Sequence, residues 1–137
     1  MGKEDDYLAD DTDRILEYYH SELKWNPPFA EMLARYAPDG LKGYLTMREA
    51  VRSGPLPKAT SELIFCLLDS MDDEESGAKA HAVAAVEAGL TMEELTEAFL
   101  IVTVVKGINV LCKAGVKALQ AAEEKAGELK DRNHSEN

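Results

Sequence analysis

The side chains able to do chemistry in this 137-residue chain are carboxylates, histidines and two isolated thiols. Glu62 stands near the start of a helix entered through Pro57, with Cys66 one turn further on, and His81 lies on an alanine-rich segment. Histidine changes charge close to neutral pH, and a carboxylate exchanges protons with whatever it hydrogen-bonds, so both types suit general acid–base work. By itself a glutamate in a first turn also complements the helix dipole, and a histidine among alanines is by default a packing residue. Cys66 and Cys112 show no C-x-x-C spacing and no cysteine–histidine grouping of metal-ligand type, which argues against a dithiol centre or a metal site. In a reducing compartment such cysteines behave as small buried apolar side chains.

The elements that must position these groups read as helices. Asp10 to Asp13 precede Ile15, Leu16, Tyr19 and Leu23 at helical spacing, and Pro27-Pro28 ends that helix. A short helix over Phe29 to Tyr36 stops at Pro38-Asp39-Gly40, and another runs from Leu41 to about Arg52 before Ser53-Gly54-Pro55. Lys58 to Met71 carries an apolar stripe of Leu63, Ile64, Leu67 and Leu68. The acidic run Asp72 to Glu75 leads into Ser76 to Ala88, whose alanines favour helix and permit close packing, and Gly89 is a C-terminal cap.

Thr91 and Glu94 form a capping box for the next helix. Leu95, Phe99, Val102 and Val105, with Ile101 and Val104 beside them, make that helix apolar around most of its girth. It is expected at the centre of the core or at a subunit interface. Gly107 should loosen it, Asn109 to Ala122 form a last helix, and the polar stretch 123–137 is expected to fray. No convincing strand pattern occurs. The expectation is one all-α domain over 1–122, a bundle of six to seven helices.

Composition narrows the function classes. Fifteen basic against 26 acidic residues give a formal charge of −11, which repels nucleic acid and anionic membranes, and no basic patch offsets it. The apolar run from Ala98 to Val105 is broken by Lys106 and Gly107 and is too short to span a bilayer. The acidic N-terminus lacks the pattern of a signal peptide, so a cytoplasmic protein is expected.

The order of these features resembles the carboxymuconolactone decarboxylase family, which includes the alkylhydroperoxidase D-like proteins. The residues that carry the resemblance are Gly54-Pro55-Leu56, Thr60-Ser61-Glu62-Leu63-Ile64, His81, and Glu87 through Leu95, within a stretch from Phe29 to Ala122. Redox members of the family place a C-x-x-C between the glutamate and the histidine. Here Glu62 and His81 keep the family spacing, whereas the two cysteine positions hold Glu74 and Gly77. Neither residue supplies a thiolate, which excludes disulfide-based peroxide reduction at those positions and puts the chain nearer the decarboxylase-like branch.

The resemblance implies Glu62 and His81 as a proton-transfer pair, working without metal or organic cofactor on a small carboxylate or lactone, in a homo-oligomer of trimer or hexamer type. Stabilising the electrons left by departing CO2 and protonating the product are tasks for an imidazole and hydrogen-bond donors. Tyr44, Arg48, Glu74 and Lys79 are candidate substrate-binding residues, and Lys58 is a further cation. Tyr44 and Tyr36 are equally readable as core aromatics, and Glu74 as part of a solvated charge run. Two other functions fit the same residues: a lactone hydrolase or isomerase, and a non-catalytic small-molecule binding or assembly protein of the same fold. Residual thiol chemistry at Cys66 is the remaining option.

Overall fold

A computed structural model describes Glu17 and residues 27–136, and every regular element among them is helical. The first helix expected from the sequence lies, apart from Glu17, outside the described residues. The chain divides after Pro55 into two compact units.

The first unit holds α1 (Pro28–Tyr36) and α2 (Pro38–Arg52). A proline opens each helix at a position whose missing N–H costs nothing. That places the start of α2 at Pro38, ahead of Leu41, where apolar spacing alone puts it. Ala30, Leu41 and Leu45 form the unit's small core, with Leu33, Ala34 and Tyr44 against it. Tyr36 is 72 % exposed and lies outside this core.

The second unit is built from α3 (Lys58–Met71), α4 (Glu75–Glu87), α5 (Met92–Lys106), a π-helical turn (Leu111–Gly115) and α6 (Val116–Ser135). Helix α4 packs most extensively on α3 and α6. Ala78, Ala82 and Ala85 are fully buried, and side chains this small let neighbouring backbones approach closely. The core cluster joins Cys66, Ala78, Ala82 and Val86 to Leu95 and Phe99 of α5 and to Ala114, Ala118 and Ala122. The central helix of this unit is therefore α4 and not α5. On α5 only Leu95, Ala98, Phe99 and Val102 are buried.

Local chemistry sets the ends of these elements. Asp73 adopts a left-handed φ of 56° in the tight turn between α3 and α4, a conformation that aspartate tolerates better than most residues. Gly89, at φ 106°, closes α4 with bonds from its own N–H to Val86 O and from Leu90 N–H to Ala85 O, the Schellman pattern. The Thr91–Glu94 capping box opens α5, and Gly107 at φ 89° ends it. Gly115 lies so close to the Phe99 ring and Val110 O that a Cβ there would crowd both.

Beyond that turn α6 runs unbroken to Ser135, so the frayed tail expected from Glu123 is instead helix. Its polar composition hides an inward row, Ala122, Ala126 and Leu129, on the core. Lys125 also bridges Glu87 of α4 at 3.5 Å and Glu128 at 3.3 Å.

Candidate functional site

Helix α3 presents Glu62, Phe65 and Asp69 at spacings of three and four residues, which puts them on one face, turned toward α4. The tight turn after Met71 brings α4 back beside that face. His81 enters it from α4, one turn beyond Gly77. The result is a polar seam between two helices whose other contacts are largely alanine and leucine.

Glu62 and His81 are 7 % and 5 % exposed, and Oε2 of Glu62 lies 2.6 Å from Nδ1 of His81. A carboxylate can only accept, so Nδ1–H is the donor, and the length is that of a charge-assisted hydrogen bond. This bond selects the tautomer and aims the ring, leaving Nε2 as the nitrogen free of Glu62. Phe65 stacks on the imidazole with centroids 4.8 Å apart and planes inclined by 22°. Asp69 Oδ2 lies 3.7 Å from Nε2. Among the described residues no group of three or more His, Cys, Asp or Glu side chains could hold a metal ion.

Cys66 belongs to the same face of α3 but is chemically quiet. Burial is the main cause that pushes its thiol up to about 12, and the nearby carboxylates of Asp69 and Glu62 add to it against a hydrogen bond from Ser70. A buried thiol held protonated at neutral pH is a poor nucleophile, which argues against residual chemistry at Cys66. Cys112 is exposed on the π-helical turn.

The other candidate residues fall as follows. Lys79 is on the exposed side of α4, 3.9 Å from Glu75 of the preceding turn. Glu74 is exposed and immediately precedes α4, with its Cγ 3.4 Å from where a Cβ on Gly77 would stand. Tyr44 and Arg48 are half-buried on α2 in the first unit, where the Tyr44 ring meets Phe29 edge-on at 5.4 Å. Lys58 is exposed at the first position of α3. The seam thus brings together Glu62 and His81, and it adds two residues that sequence reasoning did not single out, Phe65 and Asp69. Their signal was the helical spacing from Glu62, readable once the face of α3 that meets α4 is known.

No protein-family model matches the chain, and no curated protein does either. Among solved structures, it is similar to the crystal structure of a putative carboxymuconolactone decarboxylase from Burkholderia xenovorans LB400. The TM-score is 0.80 with 32% sequence identity, over 90% of this chain and 98% of that one.

Proposed function

Because this chain belongs to the carboxymuconolactone decarboxylase family, we propose that it removes CO2 from a small lactone carboxylate, with Glu62 and His81 as its proton-transfer residues. The observation that carries this reading is the buried 2.6 Å bond between them. Loss of CO2 breaks the bond between the carboxylate and the ring carbon, and the electron pair stays on the ring, delocalised toward the lactone carbonyl. A proton must then reach that carbon. An imidazole oriented through Nδ1 delivers it from Nε2, and Glu62 offsets the charge that the ring carries while protonated. This chemistry calls for no redox partner and agrees with Glu74 and Gly77 at the cysteine positions of redox relatives.

The same reading includes assembly. Leu100, Ile101, Val104, Val105 and Ile108 are all exposed, Val104 by 86 %, and a contiguous apolar stripe of this kind marks a surface that another protein covers. We assign it to further copies of this chain, in a trimer or hexamer. Two free cysteines, one of them buried, suit a reducing compartment, and we place the protein in the cytoplasm.

The test is CO2 release from carboxymuconolactone, compared between the native protein and His81→Gln. The expected outcome is turnover by the native protein and a loss of at least about 100-fold in the variant, the usual contribution of a positioned acid–base group. Ring opening without CO2 would make the protein a lactone hydrolase or isomerase. Binding without any turnover would make it a non-catalytic module.

A further inference from the structure

Proton transfer through Nε2 of His81 requires that nitrogen to point in a fixed direction, and the Glu62 bond alone does not set it. We propose that Phe65 is the positioning residue of the site: its ring, stacked on the imidazole, holds the plane that the Glu62 bond leaves free. This rests on the functional reading given above and names the side chain that orients its proton-transfer group.

The torsion that turns a histidine ring is broad, without the sharp staggered wells of a saturated bond. The 2.6 Å bond from Nδ1–H to Oε2 of Glu62 decides which nitrogen faces the carboxylate and how far away it stands. A hydrogen bond is directional along its own line and tolerates rotation about that line. The ring can therefore rock at constant bond length, and each rocking step changes where Nε2 points. At the far end of the ring Asp69 Oδ2 is 3.7 Å from Nε2, too far for a hydrogen bond that would stop the motion.

A flat group against the ring face does stop it. The Phe65 and His81 centroids are 4.8 Å apart with planes inclined by 22°, the near-parallel stack that aromatic rings favour when they are offset. Rocking drives one edge of the imidazole into the phenyl face and lifts the other edge away from it. Both restraints come from a single element. Glu62 and Phe65 are three residues apart on α3, so they share one face and stand one turn from each other. Because α3 is unbroken from Lys58 to Met71, helix geometry fixes the spacing between the group that grips Nδ1 and the ring that covers the imidazole. Phe65 is half-buried, and leucine or methionine would fill much of its volume without offering a flat face.

The experiment is NMR relaxation on the full chain carrying 13C in its histidine rings, together with the CO2 assay. The His81 signals are identified by their loss in His81→Gln, since the chain has three histidines. In the native protein the His81 ring C–H order parameter is expected near that of rigid backbone, about 0.85. In Phe65→Leu it should fall below about 0.6, with the Nδ1 resonance unchanged, and in Phe65→Tyr, which keeps the flat face, it should return. The leucine variant should lose about 10- to 100-fold in kcat with KM within about 2-fold of native, and the tyrosine variant should recover most of that loss.

Phe65→Met replaces Phe65→Leu if the latter does not fold. A native His81 ring as mobile as an exposed side chain overturns the proposal without any variant. So does ring order unmoved in a folded leucine or methionine variant, or a kcat loss equal in the leucine and tyrosine variants, which would mark a packing role only. A raised KM at unchanged kcat also overturns it, because Phe65 would then touch substrate instead of positioning the ring. The outcome is separable from the functional reading. A native protein without turnover would defeat that reading and leave the ring-order result standing, whereas turnover with unmoved ring order would do the reverse.

Discussion

Helices α4 and α5 follow one another in the chain and invert the ordinary relation between apolarity and burial. Helix α4 has alanine at five of its 13 positions and carries a histidine and a lysine, yet seven of its residues are buried. Helix α5 carries leucine, isoleucine, valine and phenylalanine, yet only four of its 15 are. The difference teaches that the centre of this unit goes to the helix that neighbours can approach most closely, because many short contacts at native density outweigh a few large side chains. It also explains where the chemistry is. The Glu62–His81 bond is buried against α4, whereas the bulky side chains Leu100, Ile101, Val104 and Val105 of α5 stay exposed.

Each side of this contrast can be broken separately. The largest effect is expected from Glu62→Ala, which leaves a buried imidazole without its acceptor. Urea unfolding should show a loss of about 3–5 kcal/mol, the usual cost of removing one partner of a buried pair. A loss below about 1 kcal/mol would mean that the seam is wet. Next comes Ala82→Leu, which forces extra methyl groups into the closest packed part of α4 and should cost about 1–3 kcal/mol. The control is Val104→Leu on α5, with a change within about 0.5 kcal/mol. Equal costs at the two sites would erase the contrast.

The seam should also show itself in alkali. In the folded chain Cys66 keeps, up to about 12, a proton that the unfolded chain gives up from 9.0. The stability this contributes is complete below pH 9 and is lost as pH climbs toward 12, with a slope of up to about 1.4 kcal/mol per pH unit. Thermal unfolding across that window should show the decline, and Cys66→Ala should flatten it. The smallest effect on the fold itself is expected from Ile101→Glu with Val104→Glu. Far-UV circular dichroism should be unchanged, while light scattering should report a fall from oligomer to monomer. A native protein that is already monomeric would show that the α5 stripe has no copy of this chain to cover it.

Much of the second unit was legible because its signals are local. The bounds of α3, Lys58 to Met71, follow from Pro57 and the acidic turn, and the Thr91–Glu94 box, Gly89 and Gly107 each act over a few residues of backbone. The inward row of α6 was missed because Ala126 and Leu129 are outnumbered by charges in their own segment, and their burial depends on what lies opposite. Asp69 was missed for a similar reason. In the sequence it closes an apolar helix just before a charge run, and nothing local separates it from a solvated acid.

By itself the sequence determined the all-helical class, most helix limits, the lack of a thiol pair between Glu62 and His81, and the identity of those two residues as the pair to examine. These follow from backbone propensities, caps and family spacing, all of which act along the chain. Only the tertiary structure decided that α4 is central, that α5 keeps an uncovered face, and that His81 meets a carboxylate near each ring nitrogen. Those outcomes depend on which helix faces meet and how closely, and Gly77 shows the reason. The missing side chain has no meaning until α3 turns back on α4 and sets Asp69 against it.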